Sequence, residues 1–415
     1  MRKIWFILFA ILFPLAVLAQ SAAEISEEVS DDRGFITRLL EDNLSGAGRE
    51  VVIDGFQGAL SSRATFDSIT IADDDGVWLT LKNGAIQWTR SSLLRGRVQI
   101  AELSAEEILL PRLPGAGPSA PQAETREFAL PELPVSVNID QINAQRVEIG
   151  EPVMGVEGAI SLQGSMNLDG GEGNAKLNIQ RLDGPRGEFV LDAGYANETQ
   201  ILRLNLSLEE AADGLLVNLV NLYDKPAVSA QISGEGAIHD FIANINLATN
   251  GQPRITGQVS ASGALGTDGT PGTAFKFQLG GDVASLLSPE NRTFFGEQSQ
   301  LQAEGWRGED GRLDIPVLKL ATEALALDGS LATNNQGAPQ KANLLITLGE
   351  DAGAEQVPVP LPFAGEGSTV ESGRLVLDYN AAQGQDWTLN GRVGQLNLAQ
   401  VKIGAVQLDG AGEVA

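Results

Sequence analysis

Apolar and polar residues alternate with a period of two along most of this chain beyond residue 50. Because successive side chains of a β-strand point to opposite faces, each alternating run predicts a strand with one apolar face and one polar face. Few helical patterns are present to cover the apolar faces. The three clearest runs supply Leu202, Leu204, Leu206 and Leu208, then Phe275, Phe277 and Leu279, and then Leu375 and Leu377.

The same pattern divides the chain into segments. Residues 20–48 have helical spacing and predict a helical lead-in that ends at glycines. Residues 49–112 predict a first β segment, and residues 113–134, which are rich in proline and glycine, predict a linker or an extended loop. Residues 135–415 return to alternating strands, interrupted by short helical stretches at 213–223 and 283–287, which are expected to stop before Pro226 and Pro289.

The N-terminus, residues 1–19, has the features of an export signal. Arg2 and Lys3 precede an apolar stretch from Ile4 to Ala19, which as a helix would span about 24 Å, less than the ~30 Å hydrocarbon core of a bilayer. A cleaved signal peptide and a short uncleaved anchor both fit, and either predicts a mature chain in the periplasm of a Gram-negative cell. The membrane-segment residues are Ile4, Trp5, Phe6, Leu8, Phe9, Leu12, Phe13, Leu15 and Leu18.

Strand number limits the possible architectures. At one strand and turn every ~11 residues, the stretch from 135 to 415 predicts about 25 strands. Open twisted sheets rarely exceed ~10 strands, so this sheet must close, stack on itself or curl. Alternation is typical of any half-buried sheet, and on the pattern alone a sandwich of two sheets is favoured.

Composition and charge exclude several functions. The net charge of −26 disfavours nucleic acid as a partner, because binding to nucleic acid needs a basic surface. The absence of cysteine excludes disulfides, thiolate metal sites and thiol nucleophiles.

Candidate chemistry is sparse, and we predict no catalytic, metal or cofactor site. His239 is the only histidine and is interpreted as a turn residue. Asp73-Asp74-Asp75-Gly76 departs from the spacing of a calcium loop and is better explained as a hairpin turn. A glycoside hydrolase on a β-helix would need only two carboxylates, so this alternative stays open.

Three blocks of residues resemble a known family. They are Ile53-Asp54-Gly55-Phe56-Gln57-Gly58 with Leu93-Leu94-Arg95-Gly96-Arg97-Val98, then Asp213-Gly214-Leu215-Leu216 with Gly234 to Phe241, and then Gly281-Asp282-Val283-Ala284-Ser285-Leu286-Leu287. The blocks resemble the TamB family of translocation-and-assembly-module proteins, within the AsmA-like superfamily. None of them is a catalytic signature, so the resemblance depends on their order along the chain.

The resemblance implies a mainly β fold in which a long, curled antiparallel sheet forms an open, apolar-lined groove. It also implies a large periplasmic protein that is anchored in the inner membrane by its N-terminus. Such proteins work with TamA, an outer-membrane barrel partner, and are implicated in phospholipid movement and outer-membrane protein assembly. Family members are usually far longer, so we expect the region that engages the barrel partner to be missing here.

Three functions follow as hypotheses. The first is a non-enzymatic conduit in which the nine alternating residues named above line a path for phospholipid. The second is a scaffold that pairs with strands of outer-membrane proteins or autotransporters through exposed sheet edges. The third is a secreted β-helix that acts on polysaccharide.

Overall fold

The computed structural model describes residues 50–58, 63–115, 130, 135–362, 364–365, 367–398 and 401–413. The predicted signal segment (1–19), the helical lead-in (20–48) and most of the proline-rich segment (113–134) lie outside these residues and stay predictions. Of the described residues, 66% are in strands and 8% are helical, so the mainly β prediction is confirmed. The chain divides into two compact units, with Asn221 as the last residue of unit 1 and Leu222 as the first of the long stretch of unit 2.

The described residues of unit 1 form nine strands that pair in chain order. Their bounds are β1 (Glu50–Asp54), β2 (Arg63–Asp73), β3 (Gly76–Trp88), β4 (Arg97–Leu110), β5 (Ser136–Ile149), β6 (Gly158–Asp169), β7 (Glu172–Arg181), β8 (Gly187–Ala196) and β9 (Ile201–Glu210). The helices are η1 (Arg90–Arg95), α1 (Glu151–Met154) and α2 (Leu215–Leu219).

Thirteen strands are formed by the part of unit 2 that the structure describes. They are β10 (Val228–Ala237), β11 (Asp240–Thr249), β12 (Gln252–Leu265), β13 (Pro271–Gly281), β14 (Ser299–Gly308), β15 (Leu313–Ala321), β16 (Leu325–Thr333), β17 (Pro339–Gly349), β18 (Val359–Pro360), β19 (Thr369–Val370), β20 (Ser372–Asn380), β21 (Asp386–Leu398) and β22 (Val401–Glu413). The helices are η2 (Ala284–Leu286), α3 (Pro289–Phe295) and η3 (Glu350–Ala352).

The sheet of unit 2 is a meander in which each long strand pairs with the next, except that β17 pairs with β20 because the two-residue strands β18 and β19 pair with each other. Among the described strands, β1 does not pair with β9 and β10 does not pair with β22, so the strands of neither unit close into a ring. All long strands of a unit therefore belong to one open sheet.

The prediction of about 25 strands beyond residue 135 is wrong, because β5 to β22 are eighteen strands. Most of these strands have 9 to 14 residues, longer than the predicted repeat allows. Strand β3, which precedes this stretch, is also long, with thirteen residues. It continues through Asn83, which adopts a positive φ of 49° without ending the strand.

The prediction of a purely antiparallel sheet also needs correction. Strands β4 and β5 pair in parallel, with Ile100 opposite Ile139 and Leu103 opposite Ile142. Two neighbouring parallel strands need a connection that runs from the end of the first strand back to the level at which that strand began. The segment that was predicted to be a linker or an extended loop thus joins two neighbouring strands of one unit.

Short helices cover the apolar face at one edge of each sheet. In unit 1, α1 and α2 follow the ends of β5 and β9, which lie at the same edge, and they bury Val153 and Val217 completely. Val153 and Leu215 belong to a core cluster with sheet residues such as Val147 and Leu162.

The equivalent cover of unit 2 combines α3 with β18 and β19, which follow the ends of β13 and β17 at one edge. Phe294 of α3 is 5% exposed, and Val359 and Val370 are fully buried. These residues pack in one cluster with Ala324, in the β15–β16 connection, and with Val393 of β21. We call these segments the caps. The side of the sheet formed by the strand ends next to the caps is called the cap edge. The opposite side, where the other strand ends are joined by hairpin turns, is called the turn edge.

The helix α3 was not predicted, because Pro289 was interpreted as the end of the preceding helical turn. Proline instead occupies the first turn of α3, after an extended Ser288. In that position its missing N–H costs nothing and its fixed φ suits the helix. Gly296 follows the helix with a positive φ of 63°, which favours glycine at this end.

Glu210 connects the sheet of unit 1 to its cap. Glu210 is 9% exposed. Its carboxylate accepts hydrogen bonds from the backbone N–H groups of Leu215, at 3.0 Å, and Leu216, at 2.8 Å. Burial raises the pKa of Glu210, and these two backbone donors oppose the shift. The side chain of Arg181 is also 9% exposed, and its Nη1 donates to the Asp213 carbonyl at 3.2 Å.

We expect Glu210→Ala to lower the free energy of unfolding by about 1–3 kcal/mol, because two buried backbone donors lose their acceptor. A raised carboxyl pKa means that the stability of the wild type falls as pH rises from the ordinary glutamate value through the raised value. Glu210→Gln does not titrate, so its stability relative to the wild type should improve over that pH range. Denaturant unfolding at several pH values measures this difference, and a difference independent of pH would contradict the assignment.

Candidate functional site

A row of apolar residues crosses the eleven long strands of unit 2, β10 to β17 and β20 to β22, with one residue from each strand directly opposite the next. We call it the long row. Ten inter-strand steps of ~4.8 Å correspond to roughly 48 Å along the sheet. Its members are Ile232, Ile245, Gly257, Leu279, Leu301, Leu320, Leu327, Ile346, Leu375, Gly391 and Leu408.

The side chains of the long row are neither core nor free surface. Each of its nine non-glycine members has intermediate exposure, and none is classed as buried or as exposed. Gly391 leaves space that Leu375 fills, because a Cβ at Gly391 would lie 2.7 Å from Leu375 Cδ2. The row is therefore a continuous apolar strip with part of every large side chain open.

A second row runs beside the first on the same face of unit 2. It contains Phe277, Leu318, Leu344, Leu377 and Leu389, joined by small residues on the intervening strands. Phe275 lies next to Phe277 on β13, with ring centroids 5.4 Å apart. The ring of Phe275 covers Gly305 of the neighbouring strand, where a Cβ would lie 2.6 Å from it.

Unit 1 has an apolar row of its own, from β2 to β9. Its members are Ala64, Ile86, Leu103, Ile142, Gly164, Leu177, Leu191 and Leu206. Exposure changes along this face, because Ala144 and Leu162 in the middle strands are buried in the core under the cap. The large side chains of the row itself, from Ile86 on β3 to Leu206 on β9, are half-buried.

The nine predicted residues all lie on these two apolar faces, and all are half-buried. In unit 1, Leu202, Leu204, Leu206 and Leu208 stand opposite Tyr195, Ala193, Leu191 and Phe189 of β8. In unit 2, Leu279 and Leu375 belong to the long row, and Phe277 and Leu377 belong to the second row. Leu375 also packs against the cap cluster, so the long row passes beside the cap.

The opposite face of each sheet is polar and solvated. On unit 2, Lys276 Nζ lies 2.6 Å from Glu304 Oε1, and this ammonium lowers the pKa of Glu304. Lys319 and Asp328 form a second cross-strand pair at 3.1 Å. Because these pairs are half to largely exposed, they contribute little stability, and their main effect is to keep one face in water.

The predicted turn at Asp73 to Gly76 is confirmed as the β2–β3 hairpin, with Gly76 at a φ of +102°. The carboxylate of Asp73 accepts from both terminal nitrogens of Arg112 and from the Gly115 N–H, and these bonds hold its pKa well below the usual range. Asp73 therefore holds Arg112 and Gly115, which follow β4, against the β2–β3 turn.

His239 lies exposed in the β10–β11 turn, as predicted. Within the ranges that the structure describes, no three acidic or histidine side chains converge as a metal ion would require. In the same part of the chain, no helix combines the length and the hydropathy that a membrane span needs.

Sequence reasoning missed most residues of the two rows in unit 2. Leu318 and Leu320 alternate with Lys319, so the signal that identified Phe275 and Phe277 was present there too. Beyond Leu301 the alternate positions hold only Ala303 and Gly305, and Leu327 is separated from Leu325 by an alanine, so the contrast between large apolar and polar residues is weaker there. Only the strand register shows that Leu301 and Leu327 continue the same row.

Comparison with known proteins does not extend this description: no family model, curated protein or solved structure matches the chain.

Proposed function

We propose that this protein is a non-enzymatic carrier of phospholipid, in which acyl chains lie along the apolar face of the sheet. The observation that carries the proposal is the long row of unit 2, whose large side chains are all half-buried. A protein core would bury such residues, and an ordinary surface would interrupt them with polar residues. A continuous, partly open apolar strip supports an apolar ligand.

The energetics favour a long surface over a small pocket. Exposing two acyl chains of about thirty carbons to water costs roughly 25 kcal/mol, at ~0.8 kcal/mol for each CH₂ group. A strip of roughly 48 Å keeps chains in apolar surroundings at each position along it. The headgroup stays in water, so no specific side-chain chemistry is required.

The resemblance to the TamB family supports the setting of this activity. We propose that the sheet curls into an open groove, and that the protein works in the periplasm as a bridge between the inner and outer membranes. In this proposal residues 4–18 hold the N-terminus at the inner membrane. A TamA-like barrel in the outer membrane is the expected partner, and outer-membrane biogenesis is the process that is supported.

Co-purifying lipid tests the proposal directly. Native mass spectrometry of the folded protein should show species that are heavier than the polypeptide by the mass of a phospholipid. These species should disappear when the protein is delipidated and return when it is incubated with phospholipid vesicles. The reason is that the apolar strip is more stable when covered than when hydrated. A folded protein that neither retains phospholipid nor takes it up would contradict the proposal.

A scaffold for protein assembly is the second candidate, and β22 is the observation that favours it. This thirteen-residue strand pairs only with β21 among the described strands, so its outer edge can accept another strand. The N–H groups of successive strand residues point to opposite sides of the strand. Proline at Gln407 in one variant and at Leu408 in another therefore removes one N–H that points toward β21 and one that points toward the outer edge. Under the scaffold hypothesis, one of them impairs substrate assembly more than a charge on the apolar face does.

A further inference from the structure

The two edges of unit 2 carry different charge. The turn edge has nine carboxylates and only three cationic side chains. The described residues of the cap edge have eight carboxylates and seven cations. The turn-edge ranges are 233–241, 262–273, 307–315, 332–341, 378–388 and 410–413, and the cap-edge ranges are 225–230, 247–256, 279–301, 319–327, 347–374 and 392–403.

Asp268 is the turn-edge carboxylate whose negative charge has the strongest local support. The Thr270 N–H and hydroxyl, with the guanidinium of Arg312, lower the pKa of Asp268 to about 2. Arg312 also pairs with Asp310, at 2.6 Å, so one cation serves two carboxylates. The excess negative charge on the rest of this edge is not neutralised by that cluster.

At the end of the edge, two carboxylates stand opposite each other. Asp386 on β21 is the cross-strand partner of Glu413 on β22, and both are exposed. Like charges directly opposite on neighbouring strands destabilise a sheet. A cation bound beside this pair would relieve the repulsion.

The caps determine on which side a bound lipid exposes its headgroup. At the cap edge, Phe294, Val359 and Val370 cover the apolar face. At the turn edge the strands are joined only by short hairpin connections, without a helix or a further strand. A headgroup whose chains lie on the apolar face therefore reaches water at the turn edge, among the carboxylates.

We propose that unit 2 selects phospholipids whose headgroup carries an ammonium group over phospholipids with an anionic headgroup. This inference rests on the proposed lipid-carrying function and adds the class of lipid. A zwitterionic headgroup places its ammonium against the acidic edge, whereas an anionic headgroup is repelled within a Debye length of about 10 Å at 0.1 M salt.

The test offers the full chain vesicles of equal parts phosphatidylethanolamine and phosphatidylglycerol with identical acyl chains. The bound lipids are then extracted and quantified. We expect phosphatidylethanolamine to be enriched about fivefold, which corresponds to about 1 kcal/mol. In 1 M salt, where the Debye length is about 3 Å, the enrichment should approach parity.

Charge-neutralising variants identify the edge that is responsible. Replacing four turn-edge groups together, with Glu235→Gln, Asp314→Asn, Asp386→Asn and Glu413→Gln, should bring the ratio of the two lipids close to one without reducing total bound lipid. The matched control changes four exposed cap-edge groups, with Glu290→Gln, Glu297→Gln, Glu350→Gln and Glu355→Gln, and should keep the preference.

Each outcome decides between the claims. Equal uptake of both lipids by the wild type, or a preference lost equally in both variants, would overturn the headgroup inference and leave the carrier function standing. A folded protein that binds neither lipid would overturn the carrier function and the inference together.

Discussion

Phe277→Glu is expected to reduce bound phospholipid at least tenfold. Phe277 lies half-buried in the second apolar row of unit 2, between Val259 and Ala303 on the neighbouring strands. Lipid chains that cover this position would strip water from the new carboxylate. Because transfer of an ion into apolar surroundings costs several kcal/mol, binding of lipid becomes less favourable. Bound lipid per folded protein, measured after incubation with vesicles, gives the result.

The next residue of the same strand provides the control for this prediction. Gln278 is exposed on the polar face, so Gln278→Glu adds the same charge in water and should leave lipid binding unchanged. In unit 1, Leu204→Asp and Asn205→Asp form a second matched pair on β9. If Phe277→Glu and Gln278→Glu, both folded, bound equal amounts of lipid, the apolar face would not be the lipid-binding surface.

Phe294→Ala is expected to lower the free energy of unfolding by about 3–5 kcal/mol, the usual cost of removing a large buried aromatic side chain. Phe294 is 5% exposed and packs with Val359, Val370 and Ala324 in the cap cluster of unit 2. Its ring lies 5.3 Å from that of Phe295, and this edge-to-face contact is lost too. Denaturant unfolding of the full chain measures the change.

The neighbouring Thr293 provides the control on α3. Its side chain is exposed, so Thr293→Ala should change stability by no more than about 0.5 kcal/mol. If Phe294→Ala were equally mild, the cap would not be packed against the sheet, and the cap edge would be as open as the turn edge.

The sequence alone was sufficient to predict a mainly β fold. Alternation identifies a strand and its apolar side without knowledge of neighbours, which is why Leu204, Phe277 and Leu377 could be assigned to the apolar faces of their strands. Register is a different property, because it depends on pairing between strands and on bulges. The irregularity between Leu247 and Ala248 in the β11–β12 pair has no marker in the sequence.

The caps could not be predicted for a related reason. Val359 and Val370 belong to strands of two residues, which are too short to show any period. Their burial comes from contact with a sheet that is assembled from distant parts of the chain. Pro289 misled the prediction because proline both ends one helix and begins another, and the local sequence favours neither.

Photo-crosslinking tests the central claim most directly. A benzophenone side chain is placed at Phe277 in one protein and at Gln278 in another, and each protein is irradiated after loading with phospholipid. The account predicts a lipid adduct from position 277 and little or none from position 278, because only the first faces the apolar rows. Adducts of equal yield at both positions, or none at 277 in lipid-loaded protein, would contradict it.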